Sequence, residues 1–411
     1  MVINVGIIGY GGSAKSFHIP FIAAIPEYEI IAILQRAEAP VDVSSGNPGS
    51  HCTIDLPGVR HYRTPDEFFA DPDTALVVVA THIDTHALFA EKALLAGKHV
   101  IVDKPFARST AEADKVIQIA NEKGLVLTCF QNRRWDGDFQ TLRKLLSQNA
   151  LGKIAEAEIH YDFESPFWTK YMTETKYVPG QGHSFGLGRQ KSHPCNLFTP
   201  FVYSHQAQSP TNSCNCQGSH SLDQAYTLFG RPASITAVYR SQRGIESEIE
   251  DSFTIILQYG GDQKNLLVTV KSAITTPLAK QLKFLVRGSE GSFVKWQQRS
   301  TCPQEEQIAR GAKPTDPGFG EEPGELRGVL TTYQKFDSSI QSYDAETGKY
   351  TGLYPTVTGR WTALYENVAD AICGRKELAV RPEQVRDVLR IIELARISHE
   401  KKATVIWSDG D

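Results

Sequence analysis

Along its first 130 residues the chain repeats one pattern: a short, mainly apolar run, a polar or glycine-rich stop, then a longer segment with helical spacing. The runs are Val5–Ile8, Ile30–Leu34, Ala75–Ala80, His99–Val102 and Leu125–Phe130. Runs this short and this apolar are strands covered on both faces, as in a buried parallel sheet. Lys15–Ile25 is long enough for a helix that His18-Ile19-Pro20 ends or kinks. Thr64-Pro65-Asp66-Glu67 opens another, with Thr64 as N-cap, Pro65 at the first helical position and Glu67 completing a capping box. Two more helices end at Ala96-Gly97-Lys98 and at Lys123-Gly124, and Ala39–Gly58, rich in Pro, Gly and Ser, reads as loop. Strand and helix alternating in this way predict an open parallel sheet.

Beyond Ile154 the period changes to two. Ala155–Phe163, Ser234–Val238 and Ser252–Leu257 alternate as half-exposed strands do; Leu266–Val270 and Leu282–Val286 add two more, and Gly288–Ser292 marks a turn. This is a mainly antiparallel sheet. Trp361–Cys373 and Pro382–Lys401 read as closing helices. The expected fold is therefore an α/β unit with a parallel sheet over residues 1–130, followed over 131–411 by an α+β unit with a large, mainly antiparallel sheet.

The chemistry gathers where the first five runs end. Val5–Ile8 delivers Gly9-Tyr10-Gly11-Gly12-Ser13-Ala14, a G-x-G-x-x-A pattern. In a Rossmann unit the first glycine makes the tight turn, the second lets the backbone approach a pyrophosphate, and the third small residue lets the helix pack on the strand. The pyrophosphate sits on the free N–H groups at that helix end. The second run ends in Gln35-Arg36, with no acid to hold both ribose hydroxyls. A guanidinium there suits a 2′-phosphate, so NADP is expected, with nearby Glu38 keeping NAD open. The later runs deliver Thr81-His82, Asp103-Lys104-Pro105 and Asn132-Arg133. Ligands of open α/β sheets bind beyond the carboxyl ends of the strands.

Bulk properties narrow the partners. A net charge of −4 over 411 residues gives no electrostatic reason for nucleic acid or an anionic membrane. No apolar run approaches the roughly 20 residues of a membrane span. No signal-type segment opens the chain, and its seven cysteines do not suggest a disulfide framework, so cytoplasmic residence is expected.

These residues resemble the Gfo/Idh/MocA oxidoreductases, the family of glucose-fructose oxidoreductase and inositol dehydrogenase. The resemblance is carried by the G-x-G-x-x-A turn, Val78 to His86, Asp103-Lys104-Pro105, Asn132-Arg133-Arg134, Leu151-Gly152-Lys153-Ile154 and Gly218-Ser219-His220-Ser221-Leu222-Asp223. It implies NAD(P)-dependent oxidation or reduction of a small molecule, often a sugar or polyol, by a homodimer or homotetramer. It implies Lys104 and His220 as catalytic residues. Gly9, Gly11, Gly12, Ser13, Ala14, Arg36, Thr81, His82, His86, Asp103, Lys104, Asn132 and Arg133 become the expected cofactor contacts, and no metal is expected. Lys104 also fits from the residues alone: hydride transfer at a carbinol carbon needs a proton moved at the oxygen, and a partly buried ammonium does this near neutrality. One departure stands out. The acid the family often carries four residues before the histidine corresponds to Gly186.

Residues 189–217 interrupt that motif. The segment has no sustained period and holds three of the seven cysteines. Cys214-Asn215-Cys216 lacks the usual zinc spacing. Its removal would join Phe185-Gly186-Leu187-Gly188 to Ser219-His220 as continuous family sequence, so it reads as a retained intron translated in frame or as a disordered insertion. Two alternatives stay open beside a sugar dehydrogenase: a dinucleotide-sensing regulator of the same fold, and a reductase of non-sugar carbonyls or dihydrodiols.

Overall fold

The structure, a computed structural model, describes residues 2–42, 46–163, 213–242, 244, 246, 250–297 and 302–409. The apolar runs of the first part become strands β1 (Ile3–Ile8), β2 (Tyr28–Leu34), β4 (Leu76–Val79), β5 (His99–Val102) and β6 (Leu127–Cys129). With the edge strand β3 (Arg60–Tyr62) they form a parallel sheet in the order β3-β2-β1-β4-β5-β6. Alternate residues feed two cores: Val5, Ile7, Leu76, Val78 and Ile101 on one face, Ile8, Val77, Val79, Val100 and Val102 on the other. Strand order reverses between β1 and β4, and such a switch point opens a crevice at the carboxyl ends. The Arg-His-Tyr sequence of β3 has no apolar run to betray it; it is held by backbone pairing to β2.

The helical punctuation follows the sequence closely. Thr64 caps Pro65–Phe69, accepting from the Glu67 N–H and donating to its carboxylate. Gly124 closes Thr110–Lys123 at φ +63°. At Pro20 the chain neither stops nor stays regular. A π-helical turn, Ala14–His18, hands over to Ile19–Ala23, which places Pro20 in a first turn where its missing N–H costs nothing.

The second sheet has ten strands: β7 (Ile154–His160), β8 (Ser234–Arg240), β9 (Ser252–Gln258), β10 (Leu267–Ala273), β11 (Gln281–Gly288), β12 (Gly291–Gln297), β13 (Gly328–Thr332), β14 (Ser342–Asp344), β15 (Lys349–Tyr354) and β16 (Val405–Ile406). Their order is β14-β15-β13-β12-β11-β7-β10-β9-β8-β16, antiparallel except for β7 with β10. The last five strands are shorter or more polar and emerge only in the fold. Helices Gly137–Ser147, Ser213–Phe229 and Pro382–Lys401 cover one face, burying Phe139, Leu142, Leu222, Ala225, Ile391 and Leu394 against Ile159, Ile255, Val270 and Val286. Pairing of β11 with β12 skips a residue, so Lys283 is an extra residue between Leu282 and Phe284.

The end of the chain returns to the first sheet. Trp361, Leu364, Tyr365 and Val368, at and within helix Thr362–Ile372, join the core beneath β1 and β4. Helix Pro382–Lys401 serves both sheets: Val385 and Leu389 belong to the core on the other face of the first sheet, Val388 and Ile391 to that of the second. No helix among the described residues is long and apolar enough to cross a membrane.

Candidate active site

The turn after β1 is built to stay open. Gly9 has φ +99°, and a Cβ there would lie 2.4 Å from the Ala80 carbonyl oxygen. Only glycine fits. A Cβ on Gly11 would meet nothing within 4 Å, so the surface above it is clear. The first helical bond runs from Lys15 N to Gly11 O (3.1 Å), which leaves the preceding N–H groups, those of Gly12, Ser13 and Ala14, directed out of the helix end. Ala14 is buried against the sheet. This cradle fits a dinucleotide pyrophosphate in shape and polarity.

The end of β2 shapes the neighbouring rim. Gln35 accepts from Cys52 N (2.9 Å) and donates to Ser50 O (3.2 Å), holding the loop around residues 46–56. Tyr10 donates to Asp55 (2.5 Å), and Lys15 donates to Gly49 O (2.9 Å), tying the same loop to the glycine turn. Arg36 is exposed, while Glu38 is paired with Arg63 (2.7 Å). His51, Cys52 and His61 bring ligand-type atoms within 4.8 Å of one another. Their ring nitrogens serve this loop instead: His51 Nδ1 caps Thr53, and His61 Nε2 bonds Gln35 O (2.8 Å).

At the end of β5, Asp103 is buried, and three groups surround its carboxylate. Its carboxylate accepts from Ser13 Oγ and from Lys104 N (2.7 Å), and lies 3.7 Å from His18 Nε2. Burial alone would raise its pKa. The adjacent His18 ring, with Lys104 and His86, outweighs burial and holds the carboxyl well below the usual range. His18 is itself buried, with Nδ1 2.7 Å from the Tyr365 hydroxyl and its ring over Phe130. Lys104, half-buried, follows and precedes a cis peptide to Pro105.

The other expected contacts fall into two groups. Gly9 to Ala14, Asp103 and Lys104 converge on the crevice, and Thr81 borders it, its hydroxyl 2.8 Å from that of Thr85. His86, His82 and Arg133 take other duties. His86 is buried, its ring spanning the Pro105 carbonyl (2.6 Å) and the Thr81 carbonyl (3.1 Å), and burial keeps its pKa low against Asp103. It staples two loops. His82 is exposed and paired with Asp84 (3.0 Å). Arg133 is buried over the Trp361 ring (4.8 Å), bonded to Cys302 and paired with Glu305 (2.5 Å) and Asp136 (3.5 Å). Asn132 is buried beside it.

His220 reaches the same crevice from the opposite side, on helix Ser213–Phe229. Its Nδ1 is 3.2 Å from Gln131 Oε1, and Gln131 Nε2 donates to Ser219 Oγ (3.3 Å). Its ring stacks on Tyr161 at 6.2 Å between centroids. Burial, then the positive charges of Lys104 and Arg133, push its pKa well down, so it is neutral near pH 7. Asp223, one turn on, forms a bidentate pair with Arg134 (2.7 and 2.8 Å). The Phe185-Gly186-Leu187-Gly188 tract and residues 189–212 lie outside the described residues; residues 213–217 begin the His220 helix. Three residues of this site escaped the sequence reading. His18 was hidden by the Pro20 break, Gln131 stood beside the block that was read, and Tyr161 passed as a strand residue.

The chain is similar to known proteins along most of its length. Residues 3–131 match the Gfo/Idh/MocA model described as "Oxidoreductase family, NAD-binding Rossmann fold", and residues 213–406 match its "C-terminal alpha/beta domain". The oxidoreductase YdgJ of Escherichia coli is 33% identical, covering 98% of each chain. The NADP-dependent scyllo-inositol 2-dehydrogenase IolW of Bacillus subtilis is 29% identical over 98% of this chain and 96% of its own. The solved structure of the oxidoreductase yvaA from Bacillus subtilis superposes with TM-score 0.77 at 28% identity, covering 99% of both chains.

Proposed function

The chain belongs to the Gfo/Idh/MocA oxidoreductase family, and on that premise we propose that it transfers hydride between NADP, in preference to NAD, and a small sugar-like or polyol-like hydroxy or carbonyl compound. The observation that supports this reading is that the buried His220 ring lies within reach of the charge of Lys104, which the end of β5 presents beside the glycine cradle. The nicotinamide, when bound, supplies or accepts the hydride. Lys104 then stabilises and protonates the developing alkoxide, or takes the alcohol proton in reverse. His220, held neutral, orients the same oxygen and relays its proton. Asp103 keeps its charge beside Lys104 and, with Ser13 and His18, fixes the turn that presents it.

NADP preference is supported by the exposed Arg36 at the end of β2, by Glu38 being engaged elsewhere, and by the cofactor in the name of the relative IolW. Small-molecule turnover in the cytoplasm by a homodimer or homotetramer completes the reading. The open face of the ten-stranded sheet, with Glu156, Arg287, Thr331 and the exposed Tyr333, offers the assembly surface. The test is purified protein with NADP⁺ or NAD⁺ and a panel of sugars, inositols and other hydroxy compounds, followed at 340 nm. Arg36→Ala is expected to erase most of the NADP preference, by about 10-fold or more. Tight NADP⁺ binding without absorbance change across the panel would favour a dinucleotide-sensing regulator instead.

A further inference from the structure

The end of the second sheet that faces His220 holds a set of buried polar atoms with no hydrogen-bond partner among the described residues. Lys283 is 0% exposed, and its Nζ has no hydrogen-bond partner among the described residues. It sits 4.0 Å from the centroid of the Tyr161 ring, the ring that stacks on His220. The Tyr161 hydroxyl is also buried without a hydrogen-bond partner among the described residues, as are the side-chain carbonyl oxygens of Gln281 and Gln297. All four belong to one end of three adjacent strands. Tyr161 follows β7, Gln281 starts β11, Gln297 ends β12 opposite it, and Gln297 Nε2 donates to Asp162 O (3.4 Å).

Lys283 reaches this position through a β-bulge. In a regular strand, a residue next to the buried Phe284 would point to the open face. The bulge turns Lys283 inward as well, so both are buried. Bulges are used in this way to re-aim a side chain beside active sites. Burying an ammonium without an acceptor is strongly unfavourable. Burial still holds the Lys283 pKa below its ordinary value, and the charges of Asp138 and Asp136 offset that only in part: Asp136 accepts from Trp361 Nε1 (2.8 Å), Asp138 from Phe139 N (2.6 Å), and neither bonds Lys283. Groups that cost stability in this way are expected at functional sites.

We propose that Lys283 and the Tyr161 hydroxyl receive a carboxylate of the substrate while Gln281 and Gln297 accept from its hydroxyls, so that the substrate class is a polyhydroxylated carboxylic acid, a sugar acid. This rests on the hydride-transfer reading, in which the other end of the same molecule meets Lys104 and His220.

The test compares D-glucuronate with D-glucose, which differ by a carboxylate in place of a hydroxymethyl group. Each is titrated calorimetrically into NADP⁺-loaded protein. D-glucuronate is expected to bind about 30-fold or more tightly than D-glucose, and Lys283→Met to remove that preference while leaving NADP⁺ affinity unchanged. Lys283→Met is also expected to hold or raise Tm, because it removes a buried charge. Equal binding of the two sugars, no measurable D-glucuronate binding, or an unchanged preference in Lys283→Met overturns the proposal. If Lys283→Met lowers Tm, Lys283→Arg decides: a retained D-glucuronate preference supports the assignment, and its loss overturns it. Absorbance at 340 nm is read separately. Binding that depends on Lys283 with no reduction of NADP⁺ under any condition sinks the hydride-transfer reading and leaves the carboxylate site standing.

Discussion

At the level of single residues, burial assigns the charges of the crevice. Asp103 stays ionised because His18, Ser13 and the Lys104 N–H surround it; Asp136, held by Trp361 and Arg133, is shifted the other way. Burial pushes the Asp136 carboxyl up to about 7, against the pull of Arg133 at 3.5 Å. An aspartate titrates near 3.9 in the unfolded chain, so between there and pH 7 the folded state holds the extra proton. Stability from this group therefore falls as pH rises through that window, by up to roughly 4 kcal/mol. Asp136→Asn is expected to flatten the slope of urea-unfolding stability between pH 5 and 8; an unchanged slope would show that Asp136 ionises freely in the fold. Lys104→Met is expected to lower kcat by about 10²–10⁴ with little change in NADP⁺ affinity, read by steady-state kinetics beside a cofactor titration. Lys104 was legible from its place after an apolar run. His18 and Lys283 were not, because a proline break and a bulge are deviations from the very periodicities by which helices and strands are recognised.

At the level of elements, two glycines of one turn have different duties. Gly9→Ala adds a side chain at φ +99° against the Ala80 carbonyl and is expected to cost roughly 2 kcal/mol or more of stability. Gly11→Ala meets open space, so Tm should hold while NADP⁺ affinity drops by about 10-fold, because the clearance there belongs to the pyrophosphate. Equal effects of the two substitutions on Tm would contradict this division. The G-x-H-x-x-D motif splits likewise. His220 faces the crevice, and Asp223 clamps its helix to Arg134 in a buried bidentate pair. Asp223→Ala leaves a buried guanidinium uncompensated and should cost about 3–5 kcal/mol in chemical denaturation. The strands of the first sheet were readable because both faces are buried, which writes an unbroken apolar run. Strands β3 and β12–β16 were not, since short or half-exposed strands take their stability from backbone pairing with distant neighbours.

At the level of the whole molecule, the two sheets are not independent beads. Trp361, Leu364, Tyr365 and Val368 complete the core under β1 and β4, and helix Pro382–Lys401 packs on both units. A fragment of residues 1–150 is therefore expected to lack a cooperative thermal transition, and cooperative unfolding of that fragment by calorimetry would count against a shared core. The sequence alone determined the parallel sheet, the glycine turn, Lys104 at a strand end and the antiparallel character of the second unit. Each of these is written in local spacing: period two, a solid apolar run, or glycine where a Cβ cannot stand. Only the tertiary structure decided what surrounds Lys104. It brings His220 and Tyr161 across from the second unit, supports Asp103 with a histidine from the first helix, and turns Lys283 into the same buried end. Those neighbours are remote in sequence, and their partnership depends on burial and distance, which no local pattern encodes.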